Sequence, residues 1–536
     1  MEIRHFTARF AWHDSGWNGK ICKNPSDNVY CRENYSLLSS RIQRRIDLSR
    51  EEKYKEKNIC EIFKNEGYTP PCYWCINAFG EGGCTVIDPH PFSDLDWMKE
   101  LFKDVSPLEV ELPSNTIYTW CFKLSFAEEG SPEGRYPADL EDRVEKYISK
   151  IVPGKSVVFF YANYSNPVTG DDYKRLLLGC AVVKEILPPK KFQIPPEILR
   201  KVRSGRGMQN FPEITWQFGV KINPETAFVL PYHHYLTWIE DAQDDEEKDR
   251  RLKLLREVAI AIDEPTLQPL FKYVSMQFST DQAIYLMYLL KKAAKKMKEH
   301  GRVPRETIDD ILEKIDRILS KLWKERGKYP GFRSATTALL KYSFEESKEI
   351  ANKVEEIVLK TCGDISAYLE GKKEPKTEDV KLKRAINVLN RKKDILRFLS
   401  LFDLSPKQME RVIEIIENVG LNTVKSNPYH ILEEYNFEVL EHWDWDESDT
   451  GIDLYHIDIA ILPDPEFADW YFEEFDPKSP HRIRAVISKL LLKTALSEGN
   501  TYLTRSEVLE RIKAVSYTHL RAHETEADLV CRLLLE

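Results

Sequence analysis

The chain has 536 residues, enough for three or more domains that each bury a core. Apolar residues make up 42% and charged residues 31%, the balance of an ordinary soluble globular protein, and no run of 18 or more apolar residues marks a membrane span. A net charge of −9 argues against coating nucleic acid over the whole surface, although a local basic stripe can still supply phosphate contacts.

The first five residues lack the apolar stretch of a secretory signal, so a cytoplasmic protein is expected. Six of the ten cysteines fall at positions 22, 31, 60, 72, 75 and 84. In a reducing compartment such crowding points to metal ligation rather than disulfides, and it defines an expected Cys-rich unit over 1–90. Cys72-x-x-Cys75 has knuckle spacing, and the preferred ligand set is Cys22, Cys31, Cys60 and Cys72. Four thiolates can close a zinc site or hold an iron–sulfur cluster, and spacing alone does not separate these. The competing reading is buried cysteine in a small core. Trp12-His13-Asp14 invites a general base, but a polar loop packed under tryptophans is the preferred account.

Strand patterns dominate the next expected domain, 91–235. Ser156–Ala162, Lys174–Ile186, Trp216–Ile222 and Ala227–Leu230 are β-branched or aromatic runs between turn formers, and a small barrel is the simplest arrangement. His233-His234 is expected to end a strand. Gly154-Lys155-Ser156 resembles the end of a phosphate loop, yet position 149 is Ser and a strand follows where a helix N-terminus is required. It is rejected.

An α-helical domain is expected over 236–370. The acidic run Asp241–Asp249 reads as a solvated face. Ser279-Thr280-Asp281 can cap a helix that runs to His300 and stops at Gly301. Pro304 opens another, with Ile308, Ile311, Leu312, Ile315, Ile318, Leu319, Leu322 and Trp323 at helical spacing. Lys291, Lys292, Lys295, Lys296 and Lys298 suit the end of a helix dipole without any ligand. The polar stretch Gly371–Asp379 is the preferred boundary before a last region, 380–514. In that region Asp444–Asp449 with Asp453, Asp458 and Asp464 could suggest a divalent-metal nuclease, but a solvated loop is preferred.

Phe402–Tyr435 places Leu404, Met409, Val412, Ile413 and Ile416 on one apolar face, turns at Gly420, and continues through Asn427-Pro428-Tyr429 to Glu433. This resembles the helix-hairpin-helix region ahead of the motor in RecD/TraA-like superfamily 1 DNA helicases. Arg482, Arg484, Ala485, Gly499 and Thr501-Tyr502-Leu503 are similar to a second segment of the same helicases. The N-terminal two thirds resembles the branch described as exonuclease V alpha-subunit-like AAA family ATPases. Its carriers are Trp12 through Gly19, Cys22, Pro25, Cys31, Pro70-Pro71-Cys72, Phe159–Ala162, Leu230–His233 and Tyr329-Pro330-Gly331.

The resemblance implies an ATP-dependent helicase or exonuclease component for the parent protein. It implies single-stranded or tailed duplex DNA as partner, nuclease or helicase partner subunits, and ATP with magnesium in motor domains absent from this chain. Phosphate contacts are then expected from Lys407, Arg411, Lys425, Arg482 and Arg484. No catalytic residue is expected in the chain. Val515–Thr525 and Leu529–Glu536 resemble a translated sequencing adapter with an index between them, so 515–536 is expected to be non-native and the natural frame to run off near Ala514. The expected fold class is therefore α+β multidomain: a Cys-rich unit, a small β-rich domain, an α-helical domain and a helix-hairpin-helix region. The alternative is a non-enzymatic, metal-stabilised nucleic-acid adaptor.

Overall fold

The structure, a computed structural model, describes residues 3–33, 46–70, 79–80, 83–88, 99–119, 140–169, 174–188, 190–205, 209–211, 214–262, 267–271, 277–341, 343–434, 451–470, 475, 479–498 and 502–508. The fold is mixed α+β. It divides into two compact units: Met1–Asp263, Leu267–Phe278 and Leu289–Ile318 form the first, and Glu264–Thr266, Ser279–Tyr288 and Leu319–Glu536 form the second. No helix among the described residues is long and apolar enough to cross a membrane.

Among the described residues the first unit carries eleven strands: β1 His5–Phe10, β2 Cys84–Asp88, β3 Leu108–Leu112, β4 Thr116–Thr119, β5 Val157–Ala162, β6 Arg175–Ile186, β7 Lys190–Gln193, β8 Ile214–Ile222, β9 Phe228–Val229, β10 Ala261–Ile262 and β11 Gln277–Phe278. Nine of them form one sheet in the order β11-β1-β5-β6-β8-β4, with β7 on β8 and with β9 and β10 on β6. β2 and β3 make a separate antiparallel pair. Every residue of β5 is buried, as a continuous apolar run requires when both faces of its strand are covered. Gly179 in β6 is needed where β9 approaches, because a Cβ there would lie 2.1 Å from the Phe228 carbonyl oxygen.

Two expectations are corrected here. β1 runs parallel to β5, with Phe6 opposite Val158 and Phe10 opposite Ala162, so residues on both sides of position 90 share one sheet. The described strands follow an open order ending at β11 and β4, not a closed barrel. His233 and His234 also open a helix, Tyr232–Glu240, instead of ending a strand; Pro231 precedes its first turn. At Gly154-Lys155-Ser156 the Ser156 hydroxyl donates to the Arg4 carbonyl at 2.7 Å, and β5 follows directly. That geometry leaves no phosphate loop at this place.

His5 shows what closing this sheet demands. Its Nδ1 accepts a hydrogen bond from the Val157 amide at 3.0 Å, and burial, with Arg4 beside it, pushes its pKa down to about 3. A histidine depressed in the fold stays neutral there while the unfolded chain takes up a proton below pH 6.5, so its contribution is full above that value. Below it, stability falls by about 1.4 kcal/mol per pH unit until the folded group titrates. Denaturant titrations of wild type and His5→Asn between pH 7 and 4 measure this. The Asn side chain retains an acceptor but no titration, so its pH slope is expected to be shallower by about one proton. Equal slopes would remove His5 from the account.

The two long helices, Thr280–His300 and Arg305–Arg326, match the expected pair, and Gly301 between them takes φ +62°. Ser279 and Gln282 cap the first reciprocally. The basic run on it is engaged with acids: Lys291 with Asp316 at 2.7 Å and Lys298 with Asp309 at 2.6 Å.

A single apolar core in the second unit runs from Tyr329 to Val508. Helices Ile365–Leu369 and Val380–Arg391, on either side of Gly371–Asp379, both feed it through Tyr368, Leu369, Leu382 and Ala385. The expected boundary at 371–379 is therefore a connection inside one core. Gly331 is closely covered: a Cβ on it would lie 2.0 Å from the Phe402 carbonyl oxygen and 2.8 Å from Met409 Cε.

Candidate functional site

Two clusters gather the residues singled out from the sequence, one in each unit. In the second unit the helix Pro406–Val419 starts at Ser405, which forms a capping box with Gln408, and Pro406 occupies the first turn. Its apolar face, including Met409, Val412, Ile413 and Ile416, is buried. Gly420 ends it at φ +89°, a backbone state that favours glycine, and the short helix Leu421–Ser426 follows. The turn at Gly420 is where the sequence places it, but the next helix begins at Leu421, ahead of Asn427-Pro428-Tyr429. Lys407 is exposed on the first turn, and Arg411, one turn later on the same side, is half-buried. Lys425, in the last turn of the short helix, is half-buried as well.

Arg482 departs from its expected role. It is 5% exposed, and its guanidinium grips Asp458 at 2.9 Å and 3.2 Å. A buried, bidentate pair of this kind is not presented to DNA, so Arg482 is withdrawn from the phosphate contacts. Asp458 sits in the middle of Leu454–Ile461, a helix whose eight residues are all buried, and it also accepts from the Tyr429 hydroxyl at 2.5 Å. Burial and the Asp458 carboxylate hold the Tyr429 hydroxyl well above its ordinary pKa, so it remains a donor. Arg484, two residues on, is exposed. Asp444–Asp449, Gly499 and Thr501 lie outside the described residues. Of the acidic group, Asp453 caps its helix and binds Lys489 at 2.7 Å, while Asp464 accepts from Tyr288.

In the first unit, β1 leads into a loop pinned from several sides. Trp17 Nε1 donates to the Ala11 carbonyl at 2.9 Å, Ile21 N donates to the Lys57 carbonyl, and Ile59 N donates to the Gly19 carbonyl. The loop brings His13, Asp14 and Cys22 together, with one ligand atom of each within 4.8 Å of the others. His13 and Cys22 are 2% and 6% exposed. His13 Nε2 lies 2.8 Å from the Lys20 carbonyl oxygen, which can only accept, so that nitrogen carries the proton. Both Asp14 oxygens are engaged, accepting from Lys23 N at 2.8 Å and Asn24 N at 2.7 Å.

The Asn28 amide joins the cysteines. It donates to Cys22 Sγ at 3.3 Å and to the Trp12 carbonyl at 2.9 Å, and its oxygen accepts from Cys31 N at 3.2 Å. The Cys22 thiol is held well below its ordinary pKa by a hydrogen bond from Cys31 and by His13, against the penalty of burial. Burial alone would lower His13, but Cys22 and Asp14 raise it to about 9. The His233 ring packs on Gly16, which takes φ +86°. Burial, then His234 and His13, push His233 down to about 4.

The four-cysteine set is corrected by this geometry. Cys60, in the first turn of helix Ile59–Glu66, forms a disulfide with Cys84 at the start of β2, so it offers no thiolate. Cys72 and Cys75 lie outside the described residues. Cys22 and Cys31 do come together, and sequence reasoning gave too little weight to His13 and Asp14. The signal available was their place eight to nine residues ahead of Cys22, in a loop rich in turn formers.

The chain is 21% identical over 552 aligned positions to an uncharacterized protein of Methanocaldococcus jannaschii; the match covers 94% of this chain and 39% of that relative. No known protein family and no solved structure matches the chain.

Proposed function

We propose that this chain is the N-terminal part of a RecD-like DNA helicase or exonuclease component, and that its second unit grips DNA through the helix pair around Gly420. The observation that carries this reading is the buried Tyr429–Asp458–Arg482 network. Tyr429 belongs to one stretch that resembles those helicases and Arg482 to the other, and a single carboxylate ties the two. Two independently noticed segments would have no reason to share a buried charge unless they formed one module. The relative is matched over only 39% of its length, which leaves room for motor domains in a longer parent. ATP and magnesium belong to those domains in this reading. The same reading gives the first unit a structural metal, zinc or an iron–sulfur cluster, and a cytoplasmic location.

Lys407, Arg411, Lys425 and Arg484 remain as the phosphate contacts. Such contacts release counterions and read no bases, so affinity for tailed or single-stranded DNA falls steeply with salt. Replacing Lys407, Arg411 and Lys425 together by alanine is expected to weaken binding and to flatten the plot of log affinity against log salt by about 2. Fluorescence anisotropy at several salt concentrations measures both. An unchanged affinity and slope would count against this surface as the DNA contact.

A further inference from the structure

We propose that His13, Cys22 and Cys31 bind one divalent ion of the zinc class, with Asp14 clasping the loop that carries Cys22 and Asn28 positioning both thiolates. This deepens the metal part of the reading above and is independent of DNA binding. The ring of His13 is preset for the task. Donation from Nε2 to the Lys20 carbonyl fixes the tautomer and leaves Nδ1 as the ligand atom, the arrangement in which metal-bound histidines are usually held.

The spacing is close to what an ion needs. Nitrogen and sulfur ligands about 2.0–2.3 Å from zinc stand roughly 3.3–3.8 Å apart at tetrahedral angles. One ligand atom each of His13, Asp14 and Cys22 lies within 4.8 Å of the others, so two of the three proposed ligands, His13 and Cys22, already stand near that spacing. Cys31 reaches Cys22 through a side-chain hydrogen bond and is only half-buried, so the third ligand adjoins the other thiolate.

The donor types select the metal. One imidazole and two thiolates suit zinc, whereas calcium and magnesium demand oxygen ligands and an iron–sulfur cluster needs more thiolates than this loop provides. Asp14 is assigned to the clasp because both its oxygens hold backbone amides directly after Cys22. Asn28 is a positioning residue: through one amide it orients the Cys22 sulfur, the Cys31 backbone and the Trp12 carbonyl.

The test is titration of the full chain, stripped of metal and reduced, with cobalt(II), followed by elemental analysis after exchange with zinc. No DNA is present, so failure of the DNA reading leaves the outcome intact. One equivalent is expected, with the visible bands of a tetrahedral cobalt site and a near-ultraviolet sulfur-to-cobalt charge-transfer band. Cys22→Ser and Cys31→Ser should each remove much of that band, and Asn28→Ala should weaken affinity by about 10–100-fold while keeping its spectrum. Cys60→Ser should leave binding unchanged. The wild-type spectrum alone decides the matter if a variant fails to fold. No micromolar binding, a charge-transfer band that survives both serine variants, or iron with acid-labile sulfide would each overturn the proposal.

Discussion

Replacing Arg482 with methionine is expected to lower the stability of the second unit by about 3–5 kcal/mol, the range found when one partner of a buried ion pair is removed. Arg482 and Asp458 are 5% and 1% exposed, so methionine would leave the Asp458 carboxylate in the core without the guanidinium that pairs with it. The carboxylate must then ionise without compensation or take up a proton, and either outcome costs the folded state. Removing both charges is a different matter. Asp458→Leu with Arg482→Met leaves one orphaned hydroxyl, and adding Tyr429→Phe removes that too. The triple variant should recover most of the loss, because apolar replacements of a buried pair are often neutral or better. Urea titrations followed by circular dichroism supply the numbers for a double-mutant cycle between positions 458 and 482. Additive single effects would mean that the contact has no energetic coupling. The folded Arg482→Met protein should also keep the wild-type salt slope for DNA, since a buried guanidinium neutralises no phosphate.

Gly331→Ala should cost the same unit about 3 kcal/mol or more, a large value for one methyl group. Gly331 has φ −84°, which any residue adopts, so conformational freedom is not the issue. Space is. The new Cβ would lie 2.0 Å from the Phe402 carbonyl oxygen, and Gly331 cannot retreat without breaking its 3.0 Å hydrogen bond to the Ser400 carbonyl. Met409 Cε, at 2.8 Å, can swing aside; a backbone oxygen cannot. Gly327→Ala is the matched comparison. That position takes φ +61° with nothing within 4 Å of an added Cβ, so its cost is the left-handed backbone alone, about 1 kcal/mol. Similar losses at 327 and 331 in thermal unfolding would show that the chain at Gly331 yields more than its contacts indicate.

Local elements were readable from the sequence because their signals are local. The strand runs at Ser156 and Lys174 became β5 and β6, and the periodic apolar positions from Ile308 to Trp323 became one buried helical face. Capping chemistry placed the helix ends near Ser279 and Gly301 within a residue. What the sequence hid was long-range. Nothing near His5 states that β1 pairs with β5, and nothing in Gly371–Asp379 distinguishes a linker from a polar connection over a shared core. The candidate sites divide the same way. The resemblance offered Lys407 and Arg482 alike as phosphate contacts; Lys407 is exposed, whereas Arg482 is buried against Asp458, 24 residues earlier. Cys60 was misassigned because its partner, Cys84, is brought near by the fold rather than by spacing.

The parallel pairing of β1 with β5 has a kinetic consequence. The amide of Val157 that bonds His5 lies 152 residues downstream. At about 5–20 residues per second, a ribosome takes roughly 8–30 s to cover that distance. Until residue 157 is made, the segment Phe6–Phe10 has no β5 to pair with. Slowing translation before codon 157 is therefore expected to raise the fraction of nascent protein that aggregates, and added chaperone is expected to lower it.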